Sequence, residues 1–331
     1  ASKNVVIKVH ASSVNPVDKI LLSGDLKLVF PVAEFPHVIS YDVAGVVEKA
    51  DSKGVFSVGQ PVFARIWADV DDGKNAPWFR GAMAEFCVAR TSDVVTKPDN
   101  ISFEEAASIP LAGMTAFQVL KESGLKEGDS VFISGGAGGV GTMAIQLAKH
   151  VFKAGLVVTT ASKGEKMDLC KGLGADEVLD YKSESFVTVY GNDDSTKFDV
   201  CFDTTAEGLE MVKIIKEGGR IVSIAGTPTL DEIRGIRGTA WILKLFLKRK
   251  VKRKEYKAAQ SMNANWTYLF LSPSHEDLST LANHLESGVI KPVLDGVWDF
   301  HSEDSEDGWQ GAFNRSFSGR AKGKCVVKIA P

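Results

Sequence analysis

The chain predicts an α/β fold in which a doubly wound parallel sheet forms one domain and a largely antiparallel, β-rich domain forms another. Three observations carry this. From Ser130 onward, apolar strand patterns alternate with helical ones at βαβ spacing. Before Ser130 the texture changes to short β-rich segments punctuated by Gly, Pro, Asp and Ser. The length of 331 residues suits about two domains.

Taken in order, the first β segments fall at Val5–His10, Val43–Glu48, Pro61–Arg65 and Ala84–Ala89, each bounded by turn-forming residues. Strands of the parallel sheet follow at 130–134, 156–161, 177–180, 198–203 and 220–225, and a sixth at Trp266–Leu271. Helical patterns lie between them at Val140–His150, Lys163–Leu173 and Leu209–Lys216, the last ended by Gly218-Gly219. The tail returns to the first texture, with strands at Pro292–Phe300 and Gly323–Ile329 flanking a helix near Ser305–Asn314. The predicted domains are therefore 1–115 with 290–331, and 116–289.

One turn in the second domain carries chemistry. The run Ser134-Gly135-Gly136-Ala137-Gly138-Gly139-Val140-Gly141 stands directly between the strand Val131-Phe132-Ile133 and the helical pattern from Val140. Gly136, Gly138 and Gly141 form G-x-G-x-x-G in the strand–turn–helix context of a Rossmann dinucleotide site. The first glycine allows the tight turn, the second lets backbone N–H groups approach a pyrophosphate, and the third lets helix pack on strand. Negative charge is then received by the helix N-terminus.

An NAD site places Asp or Glu about 20 residues beyond the glycines to hold the ribose 2′-OH. Here the second strand, Leu156–Ala161, ends at Ser162-Lys163-Gly164-Glu165-Lys166. A 2′-phosphate is attracted by Ser162, Lys163 and Lys166, so the sequence favours NADPH. Glu165 is near enough in sequence to pair with these lysines, which would then merely solvate the first turn of the helix.

Composition excludes several classes. Hydrophobic residues make up 44% and charged residues 24%, with a net charge of −3, which gives no general attraction to nucleic acid or anionic membrane. The four cysteines (87, 170, 201 and 325) have no paired spacing, which fits a reducing compartment such as the cytoplasm. No run approaches the roughly 20 apolar residues of a transmembrane helix, and Ala1-Ser2-Lys3-Asn4 does not read as a signal peptide.

The series Val14-Asn15-Pro16-Val17-Asp18, Tyr41-Asp42-Val43-Ala44-Gly45-Val46-Val47, Gly81-Ala82-Met83-Ala84-Glu85-Phe86, Ala106–Thr115 and Gly135–Gly141 resembles the medium-chain dehydrogenase/reductase superfamily, most closely its zinc-free quinone oxidoreductase and enone (alkenal) reductase branch. The resemblance implies a GroES-like substrate domain joined to the Rossmann domain, with the active site between them. It also implies a further strand and hairpin ahead of Val5–His10, which the chain begins without. Among cofactor contacts it carries over Thr115, Tyr181, Thr204, Ala225 and Gly226, beside the glycine turn from Gly136 through Ala137, Gly138, Gly139 and Val140 to Gly141. The carboxyl ends of parallel strands, where Thr204, Ala225 and Gly226 lie, are where ligands bind in such sheets. Asp203, at the same edge, is open to capping a helix instead.

Zinc alcohol dehydrogenases of the superfamily have a Cys ligand where this chain has Asn15 and a His-Glu pair where it has Tyr41-Asp42. A catalytic zinc needs about three His, Cys or carboxylate ligands. Asn15 and Tyr41 serve poorly, and the six histidines form no H-x-x-x-H pair, so no metal is expected. Nor is there a Tyr-x-x-x-Lys pair: the five tyrosines are followed four residues on by Gly, Ser, Asp, Gln and Ser. The substrate must then bring its own electrophilicity, as quinones and α,β-unsaturated carbonyls do. Asn15 is the first candidate for a polar group near the nicotinamide and the substrate carbonyl. Tyr41 either donates a hydrogen bond to the developing enolate or is a packed aromatic at the start of a strand.

Residues 241–254 join an apolar block to a basic one, and the resemblance makes this a variable pocket wall, with Trp241 and Phe246 as lining aromatics. A packed helix with a solvated basic end and a weak contact with anionic lipid remain open for the same stretch. A homodimer is expected, because Trp266–Leu271 would otherwise be an open apolar edge. Two alternatives stand beside the quinone or enone reductase: a trans-2-enoyl thioester reductase, and a non-catalytic nucleotide-binding protein, crystallin-like or membrane-peripheral.

Overall fold

The computed structural model describes residues 4–23, 37–66, 81–225 and 253–330. Gly226, Trp241 and Phe246 lie outside them, as does the basic stretch up to residue 252. The chain divides into two compact units, 1–114 with 272–331 and 115–271. The segment 272–289, which the sequence pattern joined to the nucleotide-binding domain, groups with the first unit. Its helix His275–Glu286 packs there against the strand Val94–Thr96.

The first unit is built on a long strand, β1 (Asn4–Ser13), whose alternating Val5, Ile7 and Val9 are fully buried. Along one side β1 pairs antiparallel with β2 (Asp42–Lys49). On the other it meets β4 (Phe86–Arg90) over its first half and β13 (Lys324–Lys328) over its last residues. With β3 (Pro61–Arg65), β5 (Val94–Thr96) and β12 (Leu294–Asp299) this makes a seven-stranded sheet ordered β12-β13-β1-β2-β3-β5, antiparallel except for β12–β13. Helix α1 (Pro16–Ser23) starts where β1 ends. The sequence Asn15-Pro16-Val17-Asp18 dictates that start: proline suits the first helical position, and the Asp18 carboxylate reaches back to accept from Asn15 N at 2.8 Å.

The second unit is a six-stranded parallel sheet of β6 (Ser130–Ile133), β7 (Leu156–Ala161), β8 (Glu177–Asp180), β9 (Phe198–Asp203), β10 (Ile215–Ser223) and β11 (Asn265–Tyr268), in the order β11-β10-β9-β6-β7-β8. Counted along the chain, the sheet reads 6-5-4-1-2-3, the doubly wound Rossmann order, with its switch point between β6 and β9. All six predicted strands are present. The helix expected over Leu209–Lys216 is only α7 (Gly208–Met211), and β10 begins at Ile215. Ile214 and Ile215 are fully buried, and Ile214 O accepts from Phe198 N, so the sheet claims residues whose spacing also suited a helix.

Candidate functional site

The glycine turn joins β6 to α4 (Gly139–Gln146), and its geometry separates the roles of the three motif glycines. A Cβ on Gly136 would stand 2.2 Å from Thr159 Oγ1, and one on Gly141 would stand 2.3 Å from Gly135 O. Both are required by the protein's own packing. At Gly138 a Cβ would meet nothing nearer than Gly135 O at 3.4 Å. That is ordinary contact, so the protein's own packing does not demand a glycine there, whereas close approach of a ligand to the backbone would. Gly138 is also the N-cap of α4 and offers no side chain to the first N–H groups of the helix. The turn thus fits the pyrophosphate of a dinucleotide.

Neighbouring hydroxyls hold this turn. Gly135 N donates to Thr160 Oγ1 at 3.0 Å, Thr204 N donates to Ser134 Oγ at 2.9 Å, and Thr204 Oγ1 donates to Ser134 O at 2.7 Å. Thr204 therefore ties the end of β9 to the turn. Ser134 and Thr160 were not singled out by the sequence; their signal is only a hydroxyl at each strand tip. Asp203 accepts from Thr205 N and Glu207 N in the loop ahead of α7 and from Ser223 Oγ, so it ties down that loop, while α7 itself has no side-chain cap. Ser162 directly follows β7, one strand from the turn, with exposed Lys163 next and Lys166 in the first turn of α5 (Glu165–Gly172). Tyr181 stands exposed beyond β8, and Ala225 follows β10. Thr115 is buried on α3 (Pro110–Glu122).

In the first unit, Asn15 and Tyr41 fall in one buried polar cluster but differ in what they have to offer. Asn15 Nδ2 donates to Asp42 Oδ2 at 2.8 Å and to Ser13 O at 3.3 Å, while its Oδ1 accepts from Lys324 Nζ. Both amide hydrogens are committed, and the residue is 1% exposed. Asn15 therefore has no amide hydrogen left to offer a further acceptor. Asp42, fully buried, also accepts from Ser13 Oγ and from Leu111 N in the first turn of α3, and Lys324 Nζ lies 3.5 Å from it while donating to Val14 O. Burial lowers the Lys324 pKa, against the pull of Asp42 and Asp18.

The Tyr41 hydroxyl has no hydrogen-bond partner among the described residues. The ring is half-buried, with the Arg65 guanidinium 5.5 Å from its centroid. Burial, reinforced by the Asp18 carboxyl, pushes its pKa up to about 12, so the group stays a neutral donor at physiological pH. Among the described residues no cluster of three or more His, Cys, Asp or Glu side chains is arranged to hold a metal, and no helix is long and apolar enough to cross a membrane.

Comparison with known proteins now adds to this geometry. Residues 1–99 match the alcohol dehydrogenase GroES-like domain, and residues 173–327 match the zinc-binding dehydrogenase family. Over 329 residues the chain is 36% identical to the 2-methylene-furan-3-one reductase of Solanum lycopersicum, covering 99% of this chain and 72% of that one. The chain belongs to the medium-chain dehydrogenase/reductase superfamily. It is also 34% identical to the chloroplastic NADPH-dependent alkenal/one oxidoreductase of Arabidopsis thaliana, over the same shares of the two chains. The solved quinone oxidoreductase of Coxiella burnetii superposes with a TM-score of 0.77 at 28% identity, covering 99% of this chain and 91% of that one.

Proposed function

We propose that the chain is an NADPH-dependent reductase of quinones or of the conjugated double bond of α,β-unsaturated carbonyls, working without a metal. The observation that carries it is a glycine at 138 that the protein's own packing does not require, at a helix N-terminus without a side-chain cap. The relatives named for enone and quinone reduction support the substrate class. When bound, NADPH supplies the hydride. The glycine turn from Gly136 to Gly141 holds the pyrophosphate, Ser162, Lys163 and Lys166 hold the 2′-phosphate, and Thr115, Tyr181, Thr204 and Ala225 complete the contacts that the resemblance implies. Tyr41 donates a hydrogen bond to the carbonyl oxygen as negative charge develops there, a contact that strengthens toward the transition state. Asn15, clamped by Asp42 and Lys324, keeps the floor of the cluster in place. The protein acts as a homodimer in a reducing compartment such as the cytoplasm, which its four free, buried cysteines suit.

The test is NADPH oxidation against a benzoquinone, a short enone, a reactive enal, an enoyl thioester and a saturated ketone. Turnover is expected on the conjugated acceptors and absent on the saturated ketone; efficient reduction of the latter would overturn the reaction class. Lys166→Glu should weaken NADPH binding by about 1–3 kcal/mol while sparing NADH. Equal affinity of the unaltered protein for both cofactors would overturn the NADPH preference.

A further inference from the structure

Tyr41 is preceded by a residue in an unusual conformation. Ser40 sits at φ +69, in the left-handed region that a side chain enters at a cost of about 1–3 kcal/mol. It is fully buried, and every polar group on it is engaged. Ser40 N donates to Asp18 Oδ1 at 3.1 Å, Ser40 Oγ donates to Ser13 O at 2.7 Å and lies 2.7 Å from Ser12 Oγ, and Ser40 O accepts from Ala82 N at 2.8 Å. One residue later, Tyr41 O accepts from Ile66 N at 2.7 Å. The strained backbone is therefore over-determined immediately ahead of Tyr41, whose hydroxyl has no hydrogen-bond partner among the described residues.

Asp18 is the charged member of that clamp. It is 1% exposed, reaches from α1, and divides its two oxygens between Asn15 N and Ser40 N. Nothing in the reduction itself calls for it. We propose that Asp18 is a positioning residue for the reduction: its carboxylate locks Ser40 in the left-handed conformation and so fixes where the Tyr41 hydroxyl is presented to the substrate oxygen. This rests on Tyr41 being the donor, as read above. The groups facing Asp18 are Lys324 from β13, Asp42 and Tyr41 at the start of β2, and Arg65 from the end of β3. Burial outweighs Lys324 and the two N–H donors and holds the Asp18 carboxyl up at about 7. Below neutrality the clamp loses its charged acceptor, and the bond from Ser40 N weakens.

Asp18→Asn, Tyr41→Phe and their combination separate the possibilities. Tyr41→Phe and Asp18→Asn should each lower kcat on an enone by about tenfold, with KM for NADPH unchanged, and Asp18→Asn should cost nothing further in the Tyr41→Phe background. The unaltered enzyme should gain kcat from about pH 6 to about pH 8, and Asp18→Asn should be flat there. Without any cofactor, amide exchange in the segment 38–42 should quicken in Asp18→Asn. If that variant fails to fold, Ser40→Gly takes its place, since glycine adopts φ +69 freely while the Oγ bonds are lost; it too should cost nothing further on top of Tyr41→Phe. A Tyr41→Phe enzyme with full kcat would overturn the donor reading and the clamp with it. A Tyr41→Phe loss that multiplies with the Asp18→Asn or Ser40→Gly loss, or an Asp18→Asn enzyme with unaltered kcat, would overturn the clamp alone.

Discussion

The buried polar cluster of the first unit includes the ionisable side chains Asp18, Asp42 and Lys324, and their energetics set what each substitution there will do. Lys324 is held by Asn15 Oδ1, Val14 O and Asp42, so Lys324→Met takes the nearest cation from buried Asp42 and leaves Asn15 Oδ1 without its donor. That variant should lose about 3–5 kcal/mol of stability by urea unfolding, whereas a surface lysine such as Lys163 replaced by Met should change it by less than about 0.5 kcal/mol. Asp18 has the opposite pH sign from the usual surface carboxylate. Between about pH 4 and about pH 7 the folded chain keeps a proton on Asp18 that the unfolded chain has released. Its contribution to stability is therefore largest at acid pH and is lost as pH rises toward 7. Comparing urea unfolding at the two ends of that window, Asp18→Asn should remove this fall. An unchanged pH slope in the variant would show that Asp18 is ionised throughout.

The β6–α4 turn makes a prediction that only its separate glycines can test. Gly136→Ala and Gly141→Ala must displace Thr159 Oγ1 and the Gly135 carbonyl, at a cost of about 1–3 kcal/mol or more. Gly138→Ala meets only ordinary contact, so its thermal midpoint should stay that of the unaltered protein while NADPH affinity falls, measured by fluorescence titration. Tight NADPH binding by Gly138→Ala would mean that the pyrophosphate does not approach there. This turn was legible in the sequence because all its determinants are local: a strand, three spaced glycines and a helix within about a dozen residues. The six strands of the parallel sheet were legible for the same reason. The start of β10 was not, because Ile214 and Ile215 fit a helical spacing and only their packing against Phe198 decides the matter. Asn15 was singled out in the sequence, but the side chains that engage its amide were not. The residues that consume its amide, Asp42 and Lys324, are 27 and 309 positions away, so no local pattern announces them. The N-terminal cap that Asp18 makes is readable from Asn15-Pro16-Val17-Asp18, but its second bond, to Ser40, spans 22 positions and is not.

At the scale of the whole molecule the open question is what becomes of the exposed sheet edge. The six-stranded sheet ends at β8 on one side and β11 on the other. The first is short and guarded by Glu177 and Asp180 at its two ends, a common protection against stray pairing. The second has no charged residue and runs on into Leu269, Phe270 and Leu271, with Phe270 exposed. Leu269 N donates inward to Ser223 O, which fixes β11 to β10 on one side, and among the described residues no strand pairs with its other side. Pairing with the same strand of a second copy about a two-fold axis would satisfy both copies at once, because an isologous contact is self-complementary. Light scattering after size exclusion at micromolar concentration should therefore give twice the 35.7 kDa of the chain. Phe270→Lys puts a charge on that edge without touching the buried Trp266, and should shift the mass to that of one chain while leaving NADPH affinity intact. A single-chain mass for the unaltered protein would rule out edge pairing. A dimer that survives Phe270→Lys unchanged would place the contact on another surface.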